Sequence, residues 1–238
     1  MLSYLKAYAH LAVRFLGYDV HRVKEPSDPF ADMGTALSSN SNPIIFDVGA
    51  SDGRTIRKFR AVFPHSTIHA FEPGAFFREL ETNVARANDI HLDNFALGAR
   101  PETREFSEIT SEWGPGQSSF LELDEDGYGT VISRTPVKIC TIDDYCQTHK
   151  IDRIDVLKTD TQGFDLEVLK GAAGMFAKKA VRLVLVEINF NRWYKGQAQP
   201  DELFRFLYDR GFGLISFYNS VYARGFAEWS DALFQLRS

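Results

Sequence analysis

The stretch Ile44-Ile-Phe-Asp-Val48, followed at once by Gly-Ala-Ser-Asp-Gly53, limits what this chain can fold into more than any other part of it. A short unbroken apolar run that ends in a glycine-rich turn is the pattern of a strand buried on both faces. The segment after the turn, Thr55 to Phe63, sets Ile56, Phe59 and Phe63 on one helical face before Pro64 stops it. In such a strand-turn-helix unit, Asp47-x-Gly49-x-x-x-Gly53 lets backbone approach a ligand closely. The exposed N–H groups of the first helical turn suit a carboxylate or phosphate.

The same rhythm continues. Thr67 to Phe71 predicts a second strand leading into Glu72-Pro73-Gly74, and Phe76, Leu80 and Val84 mark another helix. A third short strand is predicted over about His91 to Ala96. Strands alternating with links long enough to cross over argue a doubly wound α/β fold with a parallel sheet. Residues 99–140 interrupt the alternation with glycines, and Thr103 to Ser107, Ser118 to Leu123 and Pro136 to Thr141 read as extra antiparallel strands inserted after the third strand. It resumes with a strand at Ile154 to Lys158, a helix from Phe164 to Ala172 and a strand at Val181 to Ile188. Pro200 opens a last helix and Gly211 closes it, before a hairpin-like pair at Phe212 to Tyr218 and Ala232 to Leu236.

A chain of 238 residues suits one such domain, placed at 43–238. Before it, residues 1–42 read as an amphipathic helix over 1–24, carrying Leu5, Ala9 and Leu16, and then a linker rich in Pro, Ser and Asn. That helix can pack over the sheet edge, meet a second copy of the chain in a homodimer, or lay its basic side on a membrane surface.

A net charge of −5 without a long Lys/Arg run argues against a nucleic-acid partner. Cys140 and Cys146, lacking Cys or His companions, make neither a disulfide framework nor a zinc motif, and they fit a reducing, cytoplasmic setting. No run of about 18 apolar residues and no signal-peptide pattern is visible, so neither a transmembrane segment nor an export signal is expected.

Glu72 closes the second strand 25 residues after Asp47, where an acid can accept both hydroxyls of a ribose. Asp47, Gly49, Ala50, Ser51, Gly53, Glu72 and Pro73 are therefore the candidate residues for a nucleoside-containing cofactor. A dinucleotide loop wants Gly-x-Gly-x-x-Gly, and Ser51 stands at its second glycine. The loop thus suits one anionic group better than a pyrophosphate, which leaves a nicotinamide-dependent oxidoreductase as the weaker alternative. A protein that keeps the pocket without chemistry is another.

Phe46-Asp-Val-Gly-Ala-Ser-Asp-Gly53, Phe71-Glu-Pro73, Ala96-Leu-Gly98 and the run from Leu157-Lys-Thr-Asp to Leu-Lys-Gly-Ala172 together resemble the FkbM family of methyltransferases, from about residue 43 to the C-terminus. The resemblance implies a Rossmann-like seven-stranded methyltransferase sheet, mostly parallel with an antiparallel last strand. It also implies S-adenosyl-L-methionine as cofactor and O-methylation, often of a sugar in a glycan, glycolipid or natural product. Where the family commonly shows Lys-Ile-Asp-Val-Glu-Gly-x-Glu, this chain has Gln162 and Asp165 at the acidic positions.

Ligands of open α/β sheets lie beyond the carboxyl ends of the strands, which brings in Lys158, Asp160 and Gln162 on one side and Glu187, Asn189 and Asn191 on the other. Asp160 is the first candidate for the base that takes a proton from the acceptor and Glu187 the second; Lys158, two residues before Asp160 on the same strand face, is placed so that one of this pair tunes the other's proton affinity. Asp160 can instead cap the following helix or pair with Lys158, and Glu187 can equally pair with Lys158. A divalent cation such as Mg²⁺ is conceivable on Asp160, Glu187 and Asn189. Asn189, Asn191, Arg192, Trp193 and Tyr194 are the candidate acceptor-binding residues, since aromatic faces beside amides suit a sugar ring; Trp193 and Tyr194 can alternatively fill a small core of their own. Trp113 is a weaker candidate for the same surface, and the six histidines are not expected to cluster.

Overall fold

The computed structural model describes residues 28–237, apart from 86, 112, 113, 116, 126 and 128. The helix expected over 1–24 and Trp113 lie outside the described residues. The predicted linker instead contains a helix, α1 (Pro29–Ala36). Asp28 caps it, its carboxylate accepting the N–H groups of Phe30 and Ala31 at 3.3 Å each, with Pro29 in the first turn. The polar, proline-bearing text that suggested a linker is cap chemistry. Burial of Phe30, Met33 and Leu37 then holds the helix down.

From there the chain runs through β1 (Ile44–Val48), α2 (Arg54–Val62), β2 (Thr67–Phe71), α3 (Phe77–Val84) and β3 (Ile90–Asp93). The expected third strand is divided, because Ala96–Leu97 leaves the large sheet as β4. β5 (Glu102–Ser111), β6 (Gly114–Pro115) and β7 (Thr130–Cys140) complete a second sheet in the order β4-β7-β5-β6. The expected strand at Ser118 to Leu123 is not one: it makes an isolated bridge from Ser119 to Ser107. A helix that the alternation did not reveal, α4 (Ile142–His149), follows, with the Thr141 hydroxyl accepting the Asp144 N–H at 2.9 Å.

β8 (Ile154–Thr159) comes next, then α5 (Asp165–Lys170) and α6 (Ala173–Ala177) in place of the single helix expected to Ala172. Gly171 packs against the carbonyl of Gly98 at the break, and Asp143 accepts the N–H groups of Gly174 and Met175 to start the second piece. β9 (Val181–Asn189), α7 (Pro200–Tyr208) and the long hairpin β10 (Phe212–Ala223) and β11 (Phe226–Leu236) end the chain.

The large sheet has seven strands in the order β10-β11-β9-β8-β1-β2-β3. Its β3-β2-β1-β8-β9 pairings are parallel, and β11 is antiparallel to both neighbours. Neighbouring residues on β1 feed opposite cores, as the two-residue period of a strand requires. Ile45 joins Phe30, Ile56, Phe59 and Leu80 under α1–α3, while Phe46 joins Ile142, Tyr145 and Leu169 under α4 and α5. The sheet is therefore covered on both faces, which is why β1, β8 and β9 read as continuous apolar runs.

Contrary to the expectation of dispersed histidines, His69, His91 and His149 meet around Tyr145. His69 stacks on His91 at 4.6 Å and Tyr145 on His149 at 4.0 Å between ring centroids. The Tyr145 hydroxyl donates to Asp93 Oδ2 at 2.8 Å, so His69 Nδ1, 2.9 Å from that hydroxyl, must be the donor to it. Burial, aided by the two other histidines, lowers the His69 pKa to about 4 from 6.5. Its neutral form thus favours the folded state fully above pH 6.5, and that contribution is lost as pH falls from 6.5 towards 4. Urea unfolding across this window is expected to show a smaller loss of stability in His69→Gln than in wild type. Equal slopes would exonerate His69.

Candidate active site

The turn after β1 is built from its glycines. Gly49 has φ +75°, and its N–H and that of Ala50 donate to the Phe71 carbonyl at 3.0 and 3.1 Å, tying the turn to the end of β2. A Cβ on Gly49 would overlap the carbonyl oxygen of Asp160, so the turns after β1 and β8 touch there and only glycine fits. Gly53, φ +82°, serves packing: a Cβ would stand 2.9 Å from Leu80 Cδ1.

At the end of β2 the Glu72 carboxylate is held by two backbone donors, Ser51 N–H to Oε2 at 2.9 Å and Gly74 N–H to Oε1 at 2.8 Å. Burial pushes its pKa up, and those two donors act against the rise. Gly49, Ser51, Glu72 and Pro73 all line a cleft of about 720 Å³. Asp160 and Gln162, and Phe106 and Phe120 of the inserted region, line it as well. Of the other candidate cofactor residues, Asp47 and Ala50 are buried beneath the turn rather than exposed to the cleft, and Gly53 faces α3.

Lys158 does not pair with Glu187. It stands opposite Asp47 in the β1–β8 register, and its ammonium lies 3.0 Å from Asp47 Oδ1, 2.7 Å from the Gly49 carbonyl oxygen and 3.8 Å from Asp160 Oδ2. Burial works against its charge, but the Asp47 and Asp160 carboxylates outweigh that and raise its pKa. The lysine is therefore a permanent cation beneath the Gly49 turn.

Asp160 reaches the cleft, as do Asp52, Glu72, Glu79 and Glu108 from other parts of its lining, and 41% of the Asp160 side chain is exposed. Gln162, at φ +53°, donates from Nε2 to Asp160 Oδ1 at 3.0 Å and to Glu187 Oε2 at 3.2 Å. Asn189 Nδ2 donates to the same Glu187 oxygen at 3.2 Å, and the Tyr194 hydroxyl lies 3.2 Å from Gln162 Oε1. Sequence reasoning treated Gln162 as a departure and did not see that it joins the two candidate acids. Glu187 is buried, and its pKa stands well above the usual carboxylate range, first through burial and then through the negative charges of Asp160 and Asp165. Asp165, at the foot of α5, is likewise raised by burial to about 6.

The donor set does not suit the conceived Mg²⁺. An amide N–H₂ sits between the two carboxylates where a cation would have to bind, and among the described residues no three His, Cys, Asp or Glu groups are placed to hold a metal.

The segment after β9 is divided between roles. Trp193 and Tyr194 are buried, their N–H groups both donating to Gln197 Oε1 at 2.9 Å, and Trp193 meets Trp229 edge-on at 5.1 Å. Neither lines the main cleft, so the reading of these rings as filling a local core describes where they are; Asn189 is buried with Glu187. Asn191, Arg192 and Trp193 line a separate cavity. Trp229 lines the cleft in their stead; sequence reasoning missed it, since its only signal is a place opposite Asn189 in the β9–β11 register.

A protein-family model described as "Methyltransferase FkbM domain" matches residues 47–214. The 2-O-methyltransferase NoeI of Sinorhizobium fredii (strain NBRC 101917 / NGR234) is 26% identical over 176 residues, which cover 68% of this chain and 70% of that protein. Among solved structures, an rRNA methylase from Streptococcus thermophilus has TM-score 0.50 at 8% identity, covering 90% of this chain and 99% of the other. The METTL16 methyltransferase domain has TM-score 0.49 at 11% identity; the match covers 88% of this chain and 65% of that one, less than two thirds of its length.

Proposed function

The chain belongs to the FkbM methyltransferase family, whose members depend on S-adenosylmethionine, and on that premise we propose that it O-methylates a sugar hydroxyl in a glycan or natural-product acceptor. One observation carries the reading: Asp160 lies at the end of β8 against the Gly49 turn, and its carboxylate, with 41% of the side chain exposed, lines the cleft where it can receive a proton. The 2-O-methyltransferase relative supports the choice of a hydroxyl acceptor.

The residues present fit the cofactor. Glu72 offers a carboxylate already oriented by two N–H donors for ribose hydroxyls, and Gly49 and Ser51 of the turn line the same cleft. Bound there, S-adenosylmethionine supplies an electrophilic methyl carbon. Asp160 accepts the hydroxyl proton as the new O–CH₃ bond forms and the S–CH₃ bond breaks, leaving an ether and S-adenosylhomocysteine. Lys158 and Gln162 hold Asp160 in place, and Phe106 and Phe120 add apolar surface to the cleft's lining.

Incubation with methyl-labelled S-adenosylmethionine and defined glycans, read by mass spectrometry, tests the reaction. Label on a sugar oxygen is the expected result; label on nitrogen or carbon, or on no glycan, overturns it. Glu72→Ala is expected to weaken S-adenosylhomocysteine binding by about 1.5–3 kcal/mol, the scale of hydrogen bonds to a charged group. Calorimetry showing wild-type affinity in the folded variant would remove the ribose contact.

A further inference from the structure

A second cavity of about 460 Å³ opens beyond the end of β9, beside the tip of the β10–β11 hairpin. Trp193 lines it and Trp229 lines the main cleft, and these two rings are in edge contact, so the pair forms a partition between the spaces. Glu228 is only 3% exposed, yet it lines the second cavity. Asn191 Nδ2 at 2.7 Å and Trp193 Nε1 at 3.3 Å both donate to its Oε2. Among the described residues no donor reaches Oε1 and no cation lies within ion-pair distance of the group.

A buried carboxylate is ordinarily matched by a cation or by a full set of donors. Here neutral donors orient one oxygen and the other is turned to a ligand-sized space. Hydroxyl groups are the partners such an oxygen lacks. Phe226, 70% exposed, offers a ring face for sugar C–H groups; Arg192 and Arg224 line the same cavity, as does Glu125, and among the described residues neither guanidinium is within ion-pair distance of a carboxylate. Two unpaired guanidiniums beside a hydroxyl-accepting pocket select a sugar that also carries an acid.

We propose that this cavity is a subsite for a second saccharide unit of the acceptor, a uronic-acid-type sugar. Its hydroxyls donate to Glu228 Oε1 and its carboxylate meets Arg192 and Arg224. The inference rests on the sugar-methylation reading and extends it from a single ring to an acidic oligosaccharide lying across the Trp193–Trp229 partition.

The test is an array of neutral and uronic-acid-containing oligosaccharides, probed with the full chain and S-adenosylhomocysteine as wild type, Glu228→Gln and Arg192→Gln/Arg224→Gln. Wild type is expected to retain uronic glycans. Glu228→Gln is expected to lower that retention about tenfold or more, the effect of losing hydrogen bonds to a charged group. The arginine pair variant, altered only at exposed side chains, is expected to bring acidic glycans down to the level of neutral ones, with S-adenosylhomocysteine affinity unchanged in all three proteins. Retention of no glycan, retention of neutral glycans alone, or signals indifferent to the arginine variant overturn the subsite. Methyl transfer that persists while both variants bind glycans as wild type does counts against the subsite alone; glycan binding that responds to the variants without any methyl transfer counts against the reaction alone.

Discussion

Asp160→Asn is expected to lower kcat by about 10²–10⁴-fold while S-adenosylhomocysteine binds with wild-type affinity. The substitution is nearly isosteric, and the asparagine can still present its oxygen to Gln162 Nε2, so the geometry around Glu187 should survive. What is lost is a basic oxygen on the cleft wall. Because Lys158 keeps its contacts with Asp47 and the Gly49 carbonyl, the turn after β1 has no reason to move. Rapid-quench turnover and calorimetry on the same preparation separate the outcomes. A fall in cofactor affinity matching the fall in rate would make Asp160 a support of the turn, and full activity would take it out of the mechanism.

Lys158→Met is expected to reduce folding stability by about 3–5 kcal/mol, the usual effect of leaving one member of a buried ion pair alone. Asp47 is fully buried, and its Oδ2 has no hydrogen-bond partner, so without the ammonium nothing offsets the desolvation of its charge. The Gly49 and Val48 carbonyls would lose a donor at the same time. Urea denaturation reads the effect directly. The double variant Asp47→Asn/Lys158→Met should recover a large part of the loss, because replacing both charges removes the uncompensated one. If the double variant is no more stable than the single, the lysine works through the carbonyls rather than through Asp47.

The sheet was legible because its central strands are buried on both sides. β1, β2, β8 and β9 show as apolar runs, and their order along the chain leaves little freedom in topology. α1 was not legible, since Asp28 and Pro29 look alike whether they cap a helix or punctuate a loop, and only the buried Phe30 and Met33 decide. That Gly49, Ser51 and Glu72, the residues expected to meet a cofactor, line one cleft follows for a similar reason: they fall at strand ends, fixed by local sequence. The pairing of Lys158 with Asp160 was foreseen, but its nearer partner Asp47 was not, because Asp47 is 111 residues away and reaches it only through the β1–β8 register. Trp193 and Trp229 share this limit: neighbouring sequence calls one accessible and hides the other, while the contact of the β9 end with β11 assigns their faces.

The inserted sheet enters and leaves the main body at one place. β4 begins it and the last residues of β7 end it, with Ala96 paired to Ile139 and Leu97 to Cys140. The stem is thus clamped, and the stretch between can lengthen, shorten or be exchanged with little added closure entropy, since the loss grows only with the logarithm of loop length. Phe106 and Phe120, which line the cleft, ride on this cassette, while Gly49, Glu72 and Asp160 sit on the parallel strands outside it. Grafting a related protein's 98–138 segment onto this stem would change part of the cleft lining while leaving the parallel strands whole, and natural divergence has the same path open to it.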